Sequence, residues 1–334
     1  MRAPRMGKIK MAQDGKIPLV AVVGSTASGK SRLAVQLAKA LDGEVVSCDS
    51  MQIYRRMDIG TAKPTQAEME GVPHHLIDIA DPDHPFSCAD YVAAAKDVIA
   101  EIHGRGRMPV VCGGTGLYLE RLLMGGGDVE AAEPNLRIRE KWQAFAAENG
   151  NHALHEKLRL VDAESADAIH ENNLHRVIRA LEIYETTGVP KSQWDRRSKE
   201  LVSDYDYTVI GLRYANRQTL YDRIERRVDE MIAAGLLAET EALMREGVFE
   251  RNATAAQAIG YKELLPHLLG NEISLDEAVD QLKTATRRYA KRQITWFSAK
   301  SYVAWIEADR DGVRRGDEEL LADALEVIRG GREA

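Results

Sequence analysis

The sequence lacks the features of a disulfide-bonded or a membrane-spanning protein. Its 334 residues include three cysteines, Cys48, Cys88 and Cys112, and none of them forms a Cys-x-x-Cys pair. This spacing indicates neither a disulfide framework nor a zinc site. No apolar run approaches the roughly 20 residues that a helix needs to cross a bilayer, so no membrane partner is expected. We therefore expect a cytoplasmic protein with reduced thiols.

An excess of positive charge is also missing. The chain has 45 lysines and arginines against 52 aspartates and glutamates, which gives a formal net charge of −7. Any binding of nucleic acid must therefore depend on a local basic surface. The start of the chain, residues 1–16, is basic but has no apolar segment behind it. It is not a secretory signal, and we expect a disordered tail.

Apolar runs that end near glycine alternate with amphipathic segments in the first part of the chain. The pattern predicts strands at 16–24, 44–50 and 108–114 and helices at 29–41 and 87–103. Strands that alternate with helices are typical of a parallel, doubly wound sheet. We therefore predict an α/β fold: a P-loop NTPase-like parallel sheet flanked by helices.

The pattern changes after three consecutive glycines at 125–127. From residue 134 to Gly188 it predicts helices alone, and strand character returns at 207–214. This indicates an all-helical insertion inside the α/β domain. The predicted divisions are a tail at 1–16, a discontinuous core at 17–130 and 205–310 with a late strand at 302–307, a helical insertion domain at 131–204, and a C-terminal helix or tail at 311–334.

A phosphate-binding loop follows the first predicted strand. The segment GSTASGKS has the spacing Gly-x-x-x-x-Gly-Lys-Ser, in the order strand, loop, helix that this motif requires. Its glycines let backbone N–H groups turn toward an anion, and the helix N-terminus adds a favourable dipole. Lys30 adds a positive charge, and the Ser31 hydroxyl can coordinate magnesium. The loop predicts a bound di- or triphosphate, held by Gly24, Ser25, Thr26, Ala27, Ser28, Gly29, Lys30 and Ser31.

Two polar residues follow the other predicted strands. Asp49 comes after the second strand and Thr115 after the third, so both belong at the carboxyl edge where doubly wound sheets bind ligands. Asp49 could bind magnesium, accept a proton or cap a helix, and Thr115 could contact a ligand or cap a helix. The chain has no Asn-Lys dipeptide, so the guanine-reading motif of GTPases is absent. A small-molecule kinase stays open at this point.

Motifs that span roughly residues 18–300 resemble those of the tRNA dimethylallyltransferases, also called tRNA isopentenyltransferases. The matching segments are GSTASGKS, SCDSMQIYRRMDIGTAKP, PHHLIDI, VVCGGTGLYL, LHRVIRALEIYETTG, RIERRVDEMIAAGLLAE, QAIGYKE and RRYAKRQITWF. The resemblance implies that the loop holds the diphosphate of dimethylallyl diphosphate. It further implies that the C5 group passes to N6 of the adenosine 3′-adjacent to the anticodon, in tRNAs that read codons beginning with U.

The resemblance also implies residue roles. Asp49 would accept hydrogen from adenine N6, Thr115 would orient the reactants, and Arg223 would bind the diphosphate together with Mg²⁺ on Ser31. We expect a monomer whose partners are the tRNA anticodon stem-loop and the diphosphate substrate. The positions implied to contact tRNA are Asp49, Ser50, Met51, Gln52, Thr115, Arg137, Asn173, Leu174, His175, Arg176, Val177, Gln257, Ala258, Ile259, Gly260, Tyr261 and Lys262.

Three alternatives compete with this interpretation. Adenylate isopentenyltransferases use the same core on free AMP, ADP or ATP but have no comparable helical insertion. A P-loop kinase would explain Lys30 and Asp49 but not the GTAKP, GGTG and QAIGYK segments. A non-catalytic RNA-binding module would not need both Lys30 and Asp49 at a sheet edge. Local support for RNA comes from Lys283–Lys300, which carries six basic residues and no acidic one.

Overall fold

The structure is a computed structural model that describes residues 15–124, 135–200, 202–270 and 273–330. The predicted tail, apart from residues 15 and 16, and the predicted domain boundary at residue 130 lie outside these ranges. Within the described ranges, no helix is both long and apolar enough to cross a membrane.

A six-stranded sheet forms the centre of the larger of two compact units. The spatial order of its strands is β3-β2-β4-β1-β5-β6, and every neighbouring pair is parallel. The predicted α/β fold with a parallel sheet is therefore confirmed. The strands are β1 (Ile17–Gly24), β2 (Gly43–Ser47), β3 (His74–His75), β4 (Met108–Gly113), β5 (Tyr205–Arg213) and β6 (Val303–Glu307).

Helices and one small hairpin complete the described chain. The hairpin pairs β7 (Asp309–Arg310) with β8 (Val313–Arg314). The helices are α1 (Lys30–Ala40), α2 (Gln66–Met69), α3 (Cys88–Gly104), α4 (Gly116–Met124), α5 (Leu136–Val161), α6 (Ala163–Ala168), α7 (Leu174–Thr187), α8 (Lys191–Glu200), α9 (Arg217–Ala233), α10 (Leu236–Arg245), α11 (Val248–Arg251), α12 (Ala253–Ala256), α13 (Tyr261–Leu268), α14 (Leu275–Ser298) and α15 (Asp317–Gly330).

One apolar cluster of the larger unit packs α1 and α15 against the central strands. Leu33 and Leu37 of α1 are fully buried against β1 and β4, because apolar residues three and four positions apart share one face of a helix. Leu320 and Ile328 of α15 belong to the same apolar cluster. Helix α15 falls within the predicted C-terminal helix or tail at 311–334, and its apolar face packs into this cluster.

The second predicted strand is shorter than expected. β2 ends at Ser47 rather than at Ser50. The Cys48 N–H still donates to the Cys112 carbonyl at 2.8 Å, and the chain then turns at Asp49. This early end is important because it leaves Asp49 outside the sheet ladder, with its carboxylate available for other contacts.

The smaller unit comprises residues 88–92 and 120–203, and its described part includes α5 to α8. Trp142, Leu158 and Leu181 form part of its own apolar core. Gly150, at φ 85° and ψ 161°, breaks α5 into two segments. Gly188 ends α7 in the left-handed conformation, as its predicted position at a helix end requires.

Glu182 is a buried acid that joins two helices of the smaller unit. Its side chain is 1% exposed. It accepts hydrogen bonds from the Asn135 N–H at 2.7 Å, from Arg139 Nε at 3.0 Å and from Arg179 Nη1 at 2.8 Å. A buried carboxylate is stable only when such donors surround it.

We therefore expect Glu182→Ala to lower the free energy of unfolding by about 2 kcal/mol, because it leaves three donors without their acceptor. Urea denaturation monitored by circular dichroism measures the change. Glu185→Ala is the matched control. Glu185 lies on α7, as Glu182 does, and pairs with Lys141 of α5 at 2.8 Å, but its side chain is 26% exposed. It should cost less than about 1 kcal/mol. Equal losses in both variants would contradict the assignment.

Candidate active site at the carboxyl edge of the sheet

The phosphate loop has the backbone conformation that its glycines predict. Gly24 and Gly29 have φ of 151° and 97°, and Gly29 is the N-cap of α1. A Cβ at Gly24 would lie 2.8 Å from the Leu212 carbonyl oxygen, so no larger residue fits beside β5. The loop therefore leaves β1 and enters α1 with the helix N-terminus open toward an anion.

Lys30 lies at the end of this loop, and within the described ranges it has no carboxylate partner. Its Nζ donates to the Ser25 carbonyl at 3.2 Å, and no described residue forms an ion pair with it. Burial lowers the pKa of Lys30, with Cys112 and Asp49 opposing this shift and Arg227 adding to it. Burial also raises the pKa of the Cys112 thiol, to about 11, so this neighbour stays neutral at ordinary pH. An anion in the loop would oppose this lowering, because it favours the charged form of Lys30.

A cavity of about 330 Å³ opens in front of the loop. Its walls include Lys30 and Ser31 from the loop side and three arginines of α9. Glu68 and Glu230 also line it, so the wall is mixed but mainly positive. A smaller cavity of about 260 Å³ lies next to it, and its walls share Ser31, Arg32, Glu68 and Arg227.

Arg223, which the resemblance assigned to the diphosphate, touches the loop directly. Its Nε donates to the Ala27 carbonyl at 2.9 Å. Its guanidinium carbon lies 5.9 Å from the centre of the Tyr214 ring. These two contacts hold the side chain beside the cavity, and its terminal nitrogens form no hydrogen bond with any residue that the structure describes.

Arg227 is a cavity residue that the sequence analysis missed. Its Nη2 makes one long hydrogen bond, 3.4 Å, to the Ala62 carbonyl, and it forms no ion pair with any described residue. Burial lowers the pKa of Arg227, while the negative charges of Glu68, Asp49 and Glu230 oppose that shift. The available signal was its spacing, because it lies four residues after Arg223 and therefore on the same face of α9.

Asp49 holds a turn and keeps one oxygen free. Its Oδ1 accepts from the Met51 N–H at 2.9 Å and from the Gln52 N–H at 3.4 Å. Its Oδ2 has no hydrogen bond to any described residue. No helix begins directly after Asp49, so the helix-cap alternative is wrong, and its carboxylate holds a turn instead. The other two alternatives, magnesium binding and proton acceptance, stay predictions.

Thr115 is joined to the turn at Asp49. Its Oγ1 accepts from the Ser50 N–H at 3.1 Å, and its own N–H donates to the Cys48 carbonyl at 3.3 Å. Helix α4 begins at the next residue, and the Thr115 carbonyl accepts from the Leu119 N–H. The hydroxyl therefore lies beside the residue that follows Asp49, at the edge of the sheet where β1 ends.

Comparisons with known proteins agree with this geometry. The profile of the family described as IPP transferase matches residues 52–300, and that described as Isopentenyl transferase matches residues 17–81. The tRNA dimethylallyltransferase of Caldanaerobacter subterraneus subsp. tengcongensis is 49% identical over 317 residues, which is 94% of this chain and 98% of that protein. The chain belongs to the tRNA dimethylallyltransferase family. It is thus an enzyme of the transferase class.

Solved structures support the same assignment. The tRNA isopentenylpyrophosphate transferase of Bacillus halodurans has a TM-score of 0.69 at 46% identity, over 95% of this chain and 97% of that one. A eukaryotic dimethylallyltransferase described as acting on tRNA has a TM-score of 0.77 at 28% identity, over 94% and 80% of the two chains.

The donor set of the cavity fits a magnesium ion only in part. Ser31 supplies a hydroxyl at the start of α1, and Glu68 supplies a carboxylate, both oxygen ligands of the kind magnesium prefers. No group of three or more His, Cys, Asp or Glu residues suited to a metal occurs within the described ranges. An ion here would therefore take most of its ligands from phosphate oxygens and water, as magnesium commonly does.

The positions implied to contact tRNA differ in exposure. In the larger unit, Gln257 and Lys262 are exposed, whereas Ala258 and Tyr261 are buried. The Tyr261 hydroxyl donates to Glu239 at 2.7 Å, so this side chain joins α13 to α10. Of the remaining positions in the larger unit, Gly260 is buried, and Ser50, Met51, Gln52 and Ile259 are partly buried.

The smaller unit shows the same division. Arg137, His175 and Arg176 are exposed, as is Asn173, while Val177 is fully buried in the apolar core of the unit. Leu174 is partly buried. RNA contact at the buried positions would have to come from the backbone or from their neighbours, so these positions stay predictions.

Only some of the basic side chains of α14 are available to bind nucleic acid, because others form ion pairs within the protein. Lys283 pairs with Asp229 at 2.6 Å, and Arg287 pairs with Glu225. The exposed members Arg288, Lys291 and Arg292 form no ion pair with described residues. Part of the positive charge that the sequence assigned to a nucleic-acid surface is therefore neutralised by α9.

Arg227→Ala tests whether the unpaired guanidinium binds the anion. We expect the Kd for inorganic pyrophosphate, measured by calorimetry, to rise at least about tenfold, because hydrogen bonds to charged groups are among the stronger ones. Without pyrophosphate the melting temperature should stay equal or rise, since the change removes a poorly compensated charge. Arg217→Ala, at an exposed position of α9, is the control and should change neither quantity. An unchanged Kd in Arg227→Ala would remove this residue from the site.

Proposed function

We propose that this enzyme transfers the dimethylallyl group of dimethylallyl diphosphate to N6 of the adenosine 3′-adjacent to the anticodon, in tRNAs that read codons beginning with U. Diphosphate is the product. The observation that carries the proposal is that the cavity lined by Lys30, Arg223 and Arg227 lies at the same edge of the sheet as the segments that carry Asp49 and Thr115.

The positive side suits a diphosphate leaving group. As the bond between the allyl carbon and oxygen breaks, negative charge grows on the diphosphate, and preorganised donors stabilise it. The helix N-terminus, Lys30 and the two arginines are such donors, and none of these side chains is paired with a described carboxylate. A magnesium ion on Ser31 and the phosphate oxygens would add positive charge at the leaving group.

The other side suits an amine that must lose a proton. Adenine N6 is a weak nucleophile because its lone pair is delocalised into the ring, so a base that accepts its hydrogen assists the attack. In the proposed step N6 forms a bond to the allyl carbon, the carbon–oxygen bond breaks, and the N6 proton passes to Oδ2 of Asp49. Oδ1 stays held by the Met51 N–H, which fixes the direction of the carboxylate.

The acceptor base must leave its stack before its N6 can reach Asp49. Extrusion of a nucleotide into an enzyme pocket is the general solution for chemistry on a base. Exposed Gln257, Lys262, Arg288, Lys291 and Arg292 support contact of the larger unit with RNA. We assign the anticodon stem-loop to these positions and to the helices of the smaller unit, in a cytoplasmic monomer.

Free adenylate is the second candidate acceptor. The match of residues 17–81 to the Isopentenyl transferase profile favours it, because those residues include the phosphate loop and Asp49. The helical residues 135–200 weigh against it, since a free nucleotide has no stem for them to bind.

A transfer assay separates the two. Purified protein, magnesium and labelled dimethylallyl diphosphate are offered unmodified tRNA in one reaction and AMP in another, and the nucleosides are then analysed. Label on N6 of one tRNA adenosine with none on AMP supports the proposal. Label on AMP alone moves the activity to free adenylate. No label in either reaction, beside an active relative, refutes both.

Asp49→Asn isolates the chemistry of the carboxylate. Asparagine keeps the oxygen that accepts from Met51 and Gln52, so the turn stays in place. We expect kcat to fall at least about 100-fold, with the Kd for tRNA within about threefold of wild type, because only the proton acceptor is lost. Asp49→Ala should be as inactive and also less stable, since the turn loses both hydrogen bonds to Oδ1. Near-normal turnover in Asp49→Asn would exclude Asp49 as the base.

A further inference from the structure

Gln293 joins the two loops of the site through one buried side chain. It lies on α14 and is 5% exposed. Its Oε1 accepts from the Thr26 N–H in the phosphate loop at 2.8 Å. Its Nε2 donates to the Gly114 carbonyl, at the end of β4, at 3.1 Å. The two contacts connect segments that leave neighbouring strands, β1 and β4.

The chemistry of these contacts requires an amide. The Thr26 N–H needs an acceptor and the Gly114 carbonyl needs a donor, and glutamine supplies both from one planar group. The fit is close: a Cβ at Gly114 would lie 2.1 Å from Nε2 of Gln293. An ionised carboxylate at this position would turn an acceptor toward the Gly114 carbonyl, and an apolar side chain would leave both groups buried and unpaired.

Two neighbours on α14 face the same segment. Tyr289, one turn before Gln293, is a neighbour of Thr115 and Gln293, and burial together with the charge of Asp49 raises the pKa of Tyr289. Trp296 follows Gln293 by three residues, and its indole lies against Gly116. Residues 289, 293 and 296 share one helix face because their spacing is four and three. This face of α14 therefore packs along the segment that carries Thr115.

We propose that Gln293 is a positioning residue, which sets the separation between the phosphate loop and the segment that carries Thr115. The phosphate loop would hold the leaving diphosphate. The other segment holds the turn at Asp49 through Thr115. The Gln293 amide thus aligns the breaking carbon–oxygen bond of the substrate with the Asp49 carboxylate that receives the N6 proton. The inference rests on the proposed dimethylallyl transfer. Gln293 itself touches neither reactant.

Three variants test this role. Gln293→Leu has a similar volume and loses both hydrogen bonds. Gln293→Glu keeps the acceptor for Thr26 but can donate to Gly114 only when protonated, so low pH should rescue it. Gln281→Leu changes an exposed glutamine of the same helix and serves as the control. For each we would measure kcat and KM for dimethylallyl diphosphate, the Kd for tRNA, the Kd for inorganic pyrophosphate and the melting temperature.

We expect Gln293→Leu to lower kcat about 100-fold, since displacement of reacting groups by about 1 Å costs this much, with the Kd for tRNA within about threefold of wild type. For Gln293→Glu, the ratio of its kcat to that of wild type should rise about tenfold from about pH 8 to pH 6, as protonation restores the donor. A purely structural role would instead lower the melting temperature and the fraction of active enzyme, with an unchanged kcat per active site and no rescue.

Other outcomes would overturn the proposal. Wild-type kcat per active site in Gln293→Leu excludes a positioning role. A lower Kd for pyrophosphate in Gln293→Leu would mean that Gln293 only withholds the Thr26 N–H from the anion. A loss in Gln281→Leu equal to that in Gln293→Leu would assign the effect to α14 as a whole. If wild-type protein modifies no tRNA, the proposed function fails, and the proposal for Gln293 fails with it. The wild-type reaction therefore distinguishes this case from a failure of the Gln293 proposal alone.

Discussion

The parallel direction of the sheet is the constraint on which the rest of the site depends. Because β1, β2 and β4 run in one direction, their carboxyl ends meet at one edge. The register places Val23 beside Gly113 and Ser47 beside Cys112, so the phosphate loop, Asp49 and Thr115 leave the sheet as neighbours. An antiparallel neighbour would have sent one of these segments to the opposite edge.

The distribution of charge matters more than its sum. Elsewhere, cations that lie deep in the described structure have carboxylate partners: the side chain of Lys63 is 7% exposed and pairs with both Asp58 and Asp78. At the cavity, Arg223 and Arg227 bond only to backbone carbonyls of described residues. Leaving charged groups uncompensated costs stability, which an arriving diphosphate would recover. A chain with a net charge of −7 can thus present a strongly attractive site for an anion.

Several polar residues in or near the motifs form hydrogen bonds that join distant segments of the chain. Glu239 accepts from the Ile59 N–H at 2.9 Å and from the Gly60 N–H at 3.0 Å, as well as from the Tyr261 hydroxyl. One carboxylate therefore ties the GTAKP segment to the QAIGYK segment. Gln293 does the same for the phosphate loop and the Thr115 segment. Such contacts fix loops that would otherwise sample many conformations, and reactive groups benefit from that order.

Local patterns were sufficient for much of this protein. The glycine-bounded apolar runs located β1 and β4, and the spacing of GSTASGKS located the phosphate loop, because these signals depend on residues close together in the chain. The burial of Tyr261, the ion pairs that neutralise Lys283 and Arg287, and the unpaired state of Arg227 were not predictable in this way. Each depends on which helix packs against which. The same holds for Gln293, whose two partners lie 267 and 179 residues away along the chain and become its neighbours only when α14 packs against the loops that follow β1 and β4.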